Sequence, residues 1–101
     1  MDSSFSKRVF TIIAKIPKGN VATYMAVAKK AGKPKAYRAV GNILHANPYP
    51  VQAPCHRVVR KTGGIGGYIF GKKKKIGILK KEGVRFDKHY IVSKESILFS
   101  L

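Results

Sequence analysis

Apolar residues recur at helical spacing through residues 4–16, where Phe5, Val9, Ile12, Ile13 and Ile16 share one face. This spacing predicts an amphipathic helix, with Ser3 or Ser4 as its cap and Pro17 as its stop. The following "PKGN" reads as a turn, and Val21 and Ala22 as no more than a short extended link. Thr23 is placed to cap a second helix over "YMAVAKKA", with Gly32 closing it at C′. A third helix is expected at once, with Pro34 in its first position, where the missing N–H costs nothing. Ala36, Val40, Ile43 and Leu44 fall on its inner face. Two helices joined by a tight glycine-containing turn form a helix-turn-helix pattern.

Residues 47–71 lose the helical period. Asn47, Pro48, Pro50 and Pro54 favour turns and extended backbone, and five glycines between 63 and 71 permit sharp turns. Helical spacing returns over 72–82, with Ile76 and Leu79 facing inward, Gly77 weakening the helix and Gly83 stopping it. Val84, Phe86, Tyr90 and Val92 flank "DKH" and predict a short hairpin, after which "SILFSL" packs back on the domain.

Charge gives these elements a direction. Of 101 residues, 21 are Lys or Arg and four are Asp or Glu, a formal net charge of +17. Such a surface attracts polyanions, nucleic acid first among them. With 45% apolar residues the chain is a globular domain rather than a basic tail. The expected fold is mainly α: a winged-helix-like helix-turn-helix DNA-binding domain with a small C-terminal hairpin, in one unit over 1–101. A single cysteine forms no intramolecular disulfide and suits a reducing compartment. It also excludes a four-cysteine zinc ribbon, and no metal or cofactor is expected. No signal-like segment or membrane-length apolar run is present, so an intracellular, cytoplasmic, chromosome-associated monomer is expected.

That cysteine sits in "NPYPVQAPCHRVV". A lone cysteine is commonly a small buried hydrophobe. Here Pro54 precedes Cys55, His56 and Arg57 follow, and Glu82 is the only glutamate near the middle of the chain. A thiol reacts as thiolate, which cationic surroundings favour. A histidine can take its proton, directly or through water, when a carboxylate holds the other ring nitrogen. Neighbouring residues tend to point apart, so Cys55 and His56 need a bent backbone or a bridging water.

The same segment closely resembles the active site of the O6-alkylguanine-DNA alkyltransferases, suicidal DNA-repair proteins. "GNVATYMAVAKKAGKPKAYRAVGNILHANP" resembles their helix-turn-helix, and "LKKEG" the stretch that holds their glutamate. The resemblance runs from about residue 5 to residue 86. It implies that the helix-turn-helix spans about 23–46, the active-site loop 47–71 and the tail 84–101. It implies that Cys55 accepts the alkyl group, that His56 deprotonates it through water, that Glu82 orients His56, and that Asn47 fixes the turn. Tyr24 would crowd a phosphate and donate to the purine, and Arg38 would fill the gap left by the flipped nucleotide. Thr23, Lys35, Ala36 and Arg57 would complete the DNA-binding set. Pro54, Val59, Tyr68, Ile69 and Phe70 would surround the base. The implied partner is duplex DNA carrying O6-alkylguanine, with single-stranded DNA as a further form. The separate N-terminal domain that usually precedes this unit is missing, which implies the C-terminal catalytic and DNA-binding domain on its own.

Two features depart from the family pattern. Ile69 and Phe70 stand where small residues are usual, and would either narrow the pocket or, for Phe70, turn outward. The compact length and the "KEGVRFD" ending resemble the alkyltransferase-like proteins, which recognise the lesion without repairing it and carry tryptophan in place of the cysteine. The leading expectation is irreversible, single-turnover transfer of an alkyl group to Cys55. The alternative is a non-catalytic module that flags O6-alkylguanine. A third reading is a basic architectural or ribosomal protein with an inert cysteine. His45, His89 and the "KKKK" run at 72–75 are read as surface features.

Overall fold

The computed structural model describes residues 3–46, 54–66, 68, 70–98 and 101. In chain order the elements are helix α1 (Ser3–Ile13), strand β1 (Val21–Thr23), helices α2 (Tyr24–Lys30) and α3 (Tyr37–His45), strand β2 (Val58–Val59), helix α4 (Lys72–Lys81) and strand β3 (Ile97–Leu98). Short 3-10 turns at Cys55–Arg57 and Lys94–Ser96 lead into β2 and β3. The fold is α-rich, as its sequence pattern predicts.

The sheet was not expected. Val21–Thr23, read as a link, is the central strand of a three-stranded parallel sheet in the order β2-β1-β3. Its register explains the architecture. Ala22 pairs with Val58 and Leu98, and all three pack into a core with Phe5, Val9, Ile13, Val27, Val40 and Leu44 from α1, α2 and α3. Val21 pairs with Ile97, and both face a second core with Val59, Leu79, Val84 and Val92. Successive strand residues point to opposite faces, so three short strands separate two cores. Burial on both faces removes the alternation by which a strand is recognised, and two or three residues are too few to show a period.

Helix ends follow local chemistry. Thr23 Oγ1 accepts from the Ala26 N–H at 3.0 Å, the expected cap of α2. At the other end Gly32 adopts φ +91°, its N–H donates to the Lys29 carbonyl, and that of Lys33 donates to Ala28. This is the glycine-closed terminus that the sequence predicts. Gly83 ends α4 in the same way, with Gly83 N–H to Lys80 and Val84 N–H to Leu79. Pro34 differs from expectation. It lies in a turn closed by Ala36 N–H to the Lys33 carbonyl, and α3 starts only at Tyr37, with Ala36 as its cap. α1 also ends early: after Ile13 the hydrogen bonds of Lys15 and Ile16 tighten to three-residue spacing before Pro17.

The tail hairpin is present in reduced form, as one antiparallel bridge between Phe86 and Val92. Asp87 Oδ1 accepts from the N–H groups of His89 and Ile91, so His89 belongs to the turn as expected. Tyr90 takes φ +60° and stands exposed at its tip.

Candidate active site

The 3-10 turn at Cys55–Arg57, closed by Arg57 N–H to the Pro54 carbonyl at 2.9 Å, supplies the bend that adjacent functional side chains require. It sends Cys55 and His56 in different directions. Cys55 is buried against the α1–α3 core with one edge on a cleft. His56 turns to the C-terminal cap of α4, where its Nε2 lies 3.1 and 3.0 Å from the two oxygens of Glu82.

Glu82 is held from a second side. Arg57 donates from Nε to Oε1 at 2.9 Å and from Nη2 to Oε2 at 2.8 Å, while its Nη1 donates to the Ile16 carbonyl at 2.8 Å. A carboxylate at a helix C-terminus is disfavoured by the macrodipole, and a two-pronged guanidinium offsets that cost. Burial pushes the Glu82 carboxyl up, but hydrogen bonds and charge from Arg57 and His56 outweigh it and hold the group below its usual range. Glu82 is therefore ionised and accepts a hydrogen bond from His56 Nε2–H, which leaves Nδ1 with its lone pair. Burial also lowers the His56 pKa from its ordinary value, against the opposing pull of Glu82. At neutral pH the ring is uncharged and able to act as a base.

Lys75, expected on a solvated face, is fully buried. Its Nζ donates to the Val58 carbonyl at 2.7 Å and sits 5.9 Å from the centre of the Tyr24 ring. Burial brings its pKa down to about 8, partly countered by its attraction to Cys55. Tyr24 is half-buried, and burial raises its phenol above the ordinary value, so it keeps its proton. A Cβ on Gly66, which has φ +72°, would stand 2.9 Å from the Tyr24 hydroxyl, so only glycine lets the backbone come this close.

A cleft of about 780 Å³ brings Tyr24, Arg38, Cys55 and Tyr68 together. α2 and α3 supply one side, with Met25, Tyr37, Gly41, Asn42, Leu44 and His45 beside Tyr24 and Arg38. The segment after β2 supplies Arg60, Lys61, Gly66 and Tyr68. Tyr68 packs edge-on to His56 with ring centres 6.4 Å apart. Phe70 packs on Tyr68 at 5.5 Å, is 53% exposed and does not line the cleft, so it has turned outward.

The remaining anticipated residues are distributed unevenly. Asn47 and Ile69 lie outside the described residues. Pro54 is buried under the 3-10 turn, and Val59 points into the second core. Lys35 is exposed, and Ala36 is half-buried at the start of α3. Thr23 spends its hydroxyl on its own helix. Arg57, anticipated among DNA contacts, uses Nε, Nη1 and Nη2 on Glu82 and Ile16 inside the protein. The sequence reading missed Lys75, Arg60, Lys61 and Tyr37. Lys75 precedes the inward Leu79 by one helical turn, but Lys72 stands the same way before Ile76, so spacing alone does not single it out.

Among the described residues no helix is long and apolar enough to cross a membrane, and no group of His, Cys, Asp and Glu could hold a metal. Methylated-DNA--protein-cysteine methyltransferases of Methanothermobacter thermautotrophicus and Homo sapiens are 39% and 43% identical, each over 84% of this chain. The chain spans less than half the length of these relatives, 47% and 42%. The crystal structure of Mycobacterium tuberculosis OGT in complex with DNA superposes with a TM-score of 0.77 at 35% identity, over 81% of this chain and 50% of that one. S. pombe Atl1, solved with damaged DNA containing O6-carboxymethylguanine, shares the fold over 97% of both chains, with a TM-score of 0.82 at 24% identity. Residues 4–84 match the profile of the 6-O-methylguanine DNA methyltransferase DNA-binding domain, and the chain belongs to that family.

Proposed function

We propose that this protein repairs DNA by moving the alkyl group of O6-alkylguanine irreversibly onto Cys55. The observation that carries the proposal is that the 3-10 turn which sets Cys55 at the edge of a cationic cleft also seats the adjoining His56 on Glu82, with Arg57 behind it. α2 and α3 form the helix-turn-helix that meets duplex DNA, with the tail hairpin as a small wing, and 1–101 acts as one catalytic and DNA-binding unit. A guanine O6 inside a duplex is out of reach, so the nucleotide rotates into the cleft at a cost of a few kcal/mol in stacking. Arg38, exposed at the cleft mouth, refills the stack.

His56 Nδ1 takes the Cys55 proton, directly or through one water. The thiolate attacks the alkyl carbon, an S–C bond forms, and the C–O6 bond breaks with its electron pair passing to guanine. Tyr24, protonated and beside Cys55, donates a hydrogen bond to the purine as that charge develops. The purine then takes up a proton, from Tyr24 or through water, to balance the one that left Cys55 for His56, and the products are S-alkylcysteine and guanine. The thioether has no route back to a thiol, so each molecule acts once.

Intact-mass measurement after mixing with O6-methylguanine duplex tests this directly. Cys55 should gain about 14 Da, as a methyl replaces the thiol proton, and Cys55→Ala should bind the lesion without gaining mass. Lesion binding by the wild type with no mass gain would replace repair by recognition alone. Methyl on another residue would also overturn the assignment to Cys55.

A further inference from the structure

Of the cations on the cleft, Arg60 and Lys61 are assigned to nothing in the chemistry above. They follow β2 directly and occupy a tight turn, closed by Gly63 N–H to the Arg60 carbonyl at 2.8 Å and Arg60 N–H to the Gly64 carbonyl at 2.9 Å. Both side chains are exposed and both line the cleft. The turn is fastened to the tail. The Val92 N–H donates to the Gly63 carbonyl at 3.0 Å, and Gly63 itself is buried with φ +88°. A Cβ there would stand 3.0 Å from both the Val92 carbonyl and Ile91 Cγ2. Val92 is anchored in turn, buried in the second core beside Val59 and Ile97. This bracing segment lies beyond the matched family domain, which ends at residue 84.

Two cations on flexible side chains hold little by themselves, because each loses rotamer freedom on contact. A backbone fixed at both ends of its turn reduces what has to be ordered on binding. Arg60 also exerts a charge effect on Tyr24, with which it shares the cleft.

We propose that Arg60 and Lys61, on the segment after β2 rather than on α3 with Arg38, form a phosphate-gripping lip of the cleft, and that the tail hairpin, through Val92 on Gly63, is the brace that sets its position. The lip rests on the reading of the cleft as a DNA site. Its ligand is the backbone flanking the nucleotide that enters.

The test measures affinity for O6-methylguanine duplex against salt. In the wild type, log affinity should fall steeply with log salt. Arg60→Gln with Lys61→Gln should reduce that slope by about 1.8, since each lost phosphate contact contributes about 0.9. Both side chains are exposed, so circular dichroism should show an unchanged fold. Gly63→Ala should weaken binding without removing any charge, because the turn must move off Val92. Gly77→Ala is the control: it lies on α4 away from the turn, its Cβ meets nothing within 4 Å, and binding should match the wild type. An unchanged slope in the double variant, with the wild type binding, overturns the lip alone. Equal affinities for Gly63→Ala and Gly77→Ala overturn the brace. A wild type that binds neither lesion nor plain duplex overturns the DNA reading itself, and the lip with it.

Discussion

Arg57 grips Glu82 through two parallel hydrogen bonds of 2.9 and 2.8 Å, on the same two oxygens that face His56 Nε2. One carboxylate thus ties α4 to the turn that carries Cys55. Arg57 extends the tie to the end of α1 through the Ile16 carbonyl. The arrangement fixes the tautomer and the direction of His56 at once, which an isolated histidine beside a cysteine would not have.

Glu82→Gln separates orientation from basicity. The amide keeps the size of the side chain but loses the charge that raises the His56 pKa. Methyl transfer at neutral pH should slow by about 10²-fold, the usual worth of a positioned acid–base partner. The acid limb of the rate profile should move to lower pH. In the wild type that limb already lies below the ordinary histidine value, because burial disfavours the imidazolium. Losing Glu82 removes the negative charge that opposes burial and lowers it further. Stopped-time mass spectrometry across pH gives both quantities. A limb that moved to higher pH would exclude Glu82 as the partner that favours the protonated ring.

Lys75 makes stability depend on pH in the opposite sense from a paired surface lysine. Its folded pKa is about 8 and its ordinary value 10.5. Between those values the unfolded chain holds a proton that the folded protein has released, so stability rises with pH across the window. Tyr24 and Tyr68, both raised from 10.0, act the other way above that point. The useful comparison is therefore between about pH 7 and about pH 9.5. Over that range the wild type should gain about 1–2 kcal/mol relative to Lys75→Met in denaturant unfolding. A difference that stayed constant would mean that the amine titrates as it does in water.

Gly66→Ala should damage the site through Tyr24. The new methyl would meet the phenol oxygen at 2.9 Å in a backbone that alanine dislikes, at a cost of about 1–2 kcal/mol. Transfer should slow towards the level of Tyr24→Phe, about 10²-fold for a lost hydrogen-bond donor. Gly77→Ala is the counterpart on α4, where a Cβ meets nothing within 4 Å. It should stabilise by about 0.5–1 kcal/mol and leave transfer unchanged. Melting curves and single-turnover rates of the two variants check this together. Equal rates for Gly66→Ala and wild type would mean that the Tyr24 position does not matter.

These residues also show what the sequence could reveal. The helices were legible wherever periodicity and capping agreed: Thr23 and Gly32 bracket α2, and Gly83 closes α4. The link from Cys55 through His56 to Glu82 was legible through the family resemblance, since 26 positions separate His56 from Glu82 and no local pattern joins them. The sheet was not legible. Val21 meets Ile97, and Ala22 meets Val58, only through long-range pairing, and strands of two or three residues carry no period. Lys75 was hidden by its neighbours. In a run of four lysines, only packing against Val58 and Tyr24 singles one out. Arg57 was legible as a cation but not as an inward one, because its direction depends on a 3-10 turn that tertiary contacts stabilise.

Arg38 provides the sharpest division between binding and flipping. It is exposed on the first turn of α3 and lines the cleft beside Tyr37 and Tyr24. Lys35 lies three residues earlier, also exposed, but does not line the cleft. Both carry one charge, so a phosphate-contact role would make them alike. An inserted guanidinium does something that a phosphate contact cannot: it occupies the space left in the stack and offsets part of the few kcal/mol spent on extrusion. Arg38→Ala should therefore slow repair of duplex far more than repair of a single strand, where little stacking has to be broken. Lys35→Ala should weaken binding to lesion and plain duplex about equally, leaving the duplex-to-single-strand ratio as in wild type. The measurement is that ratio of methyl-transfer rates for the wild type and both variants, at saturating protein so that affinity drops out. If Arg38→Ala lowered the two rates by the same factor, Arg38 would be a phosphate contact, and another group would have to fill the stack.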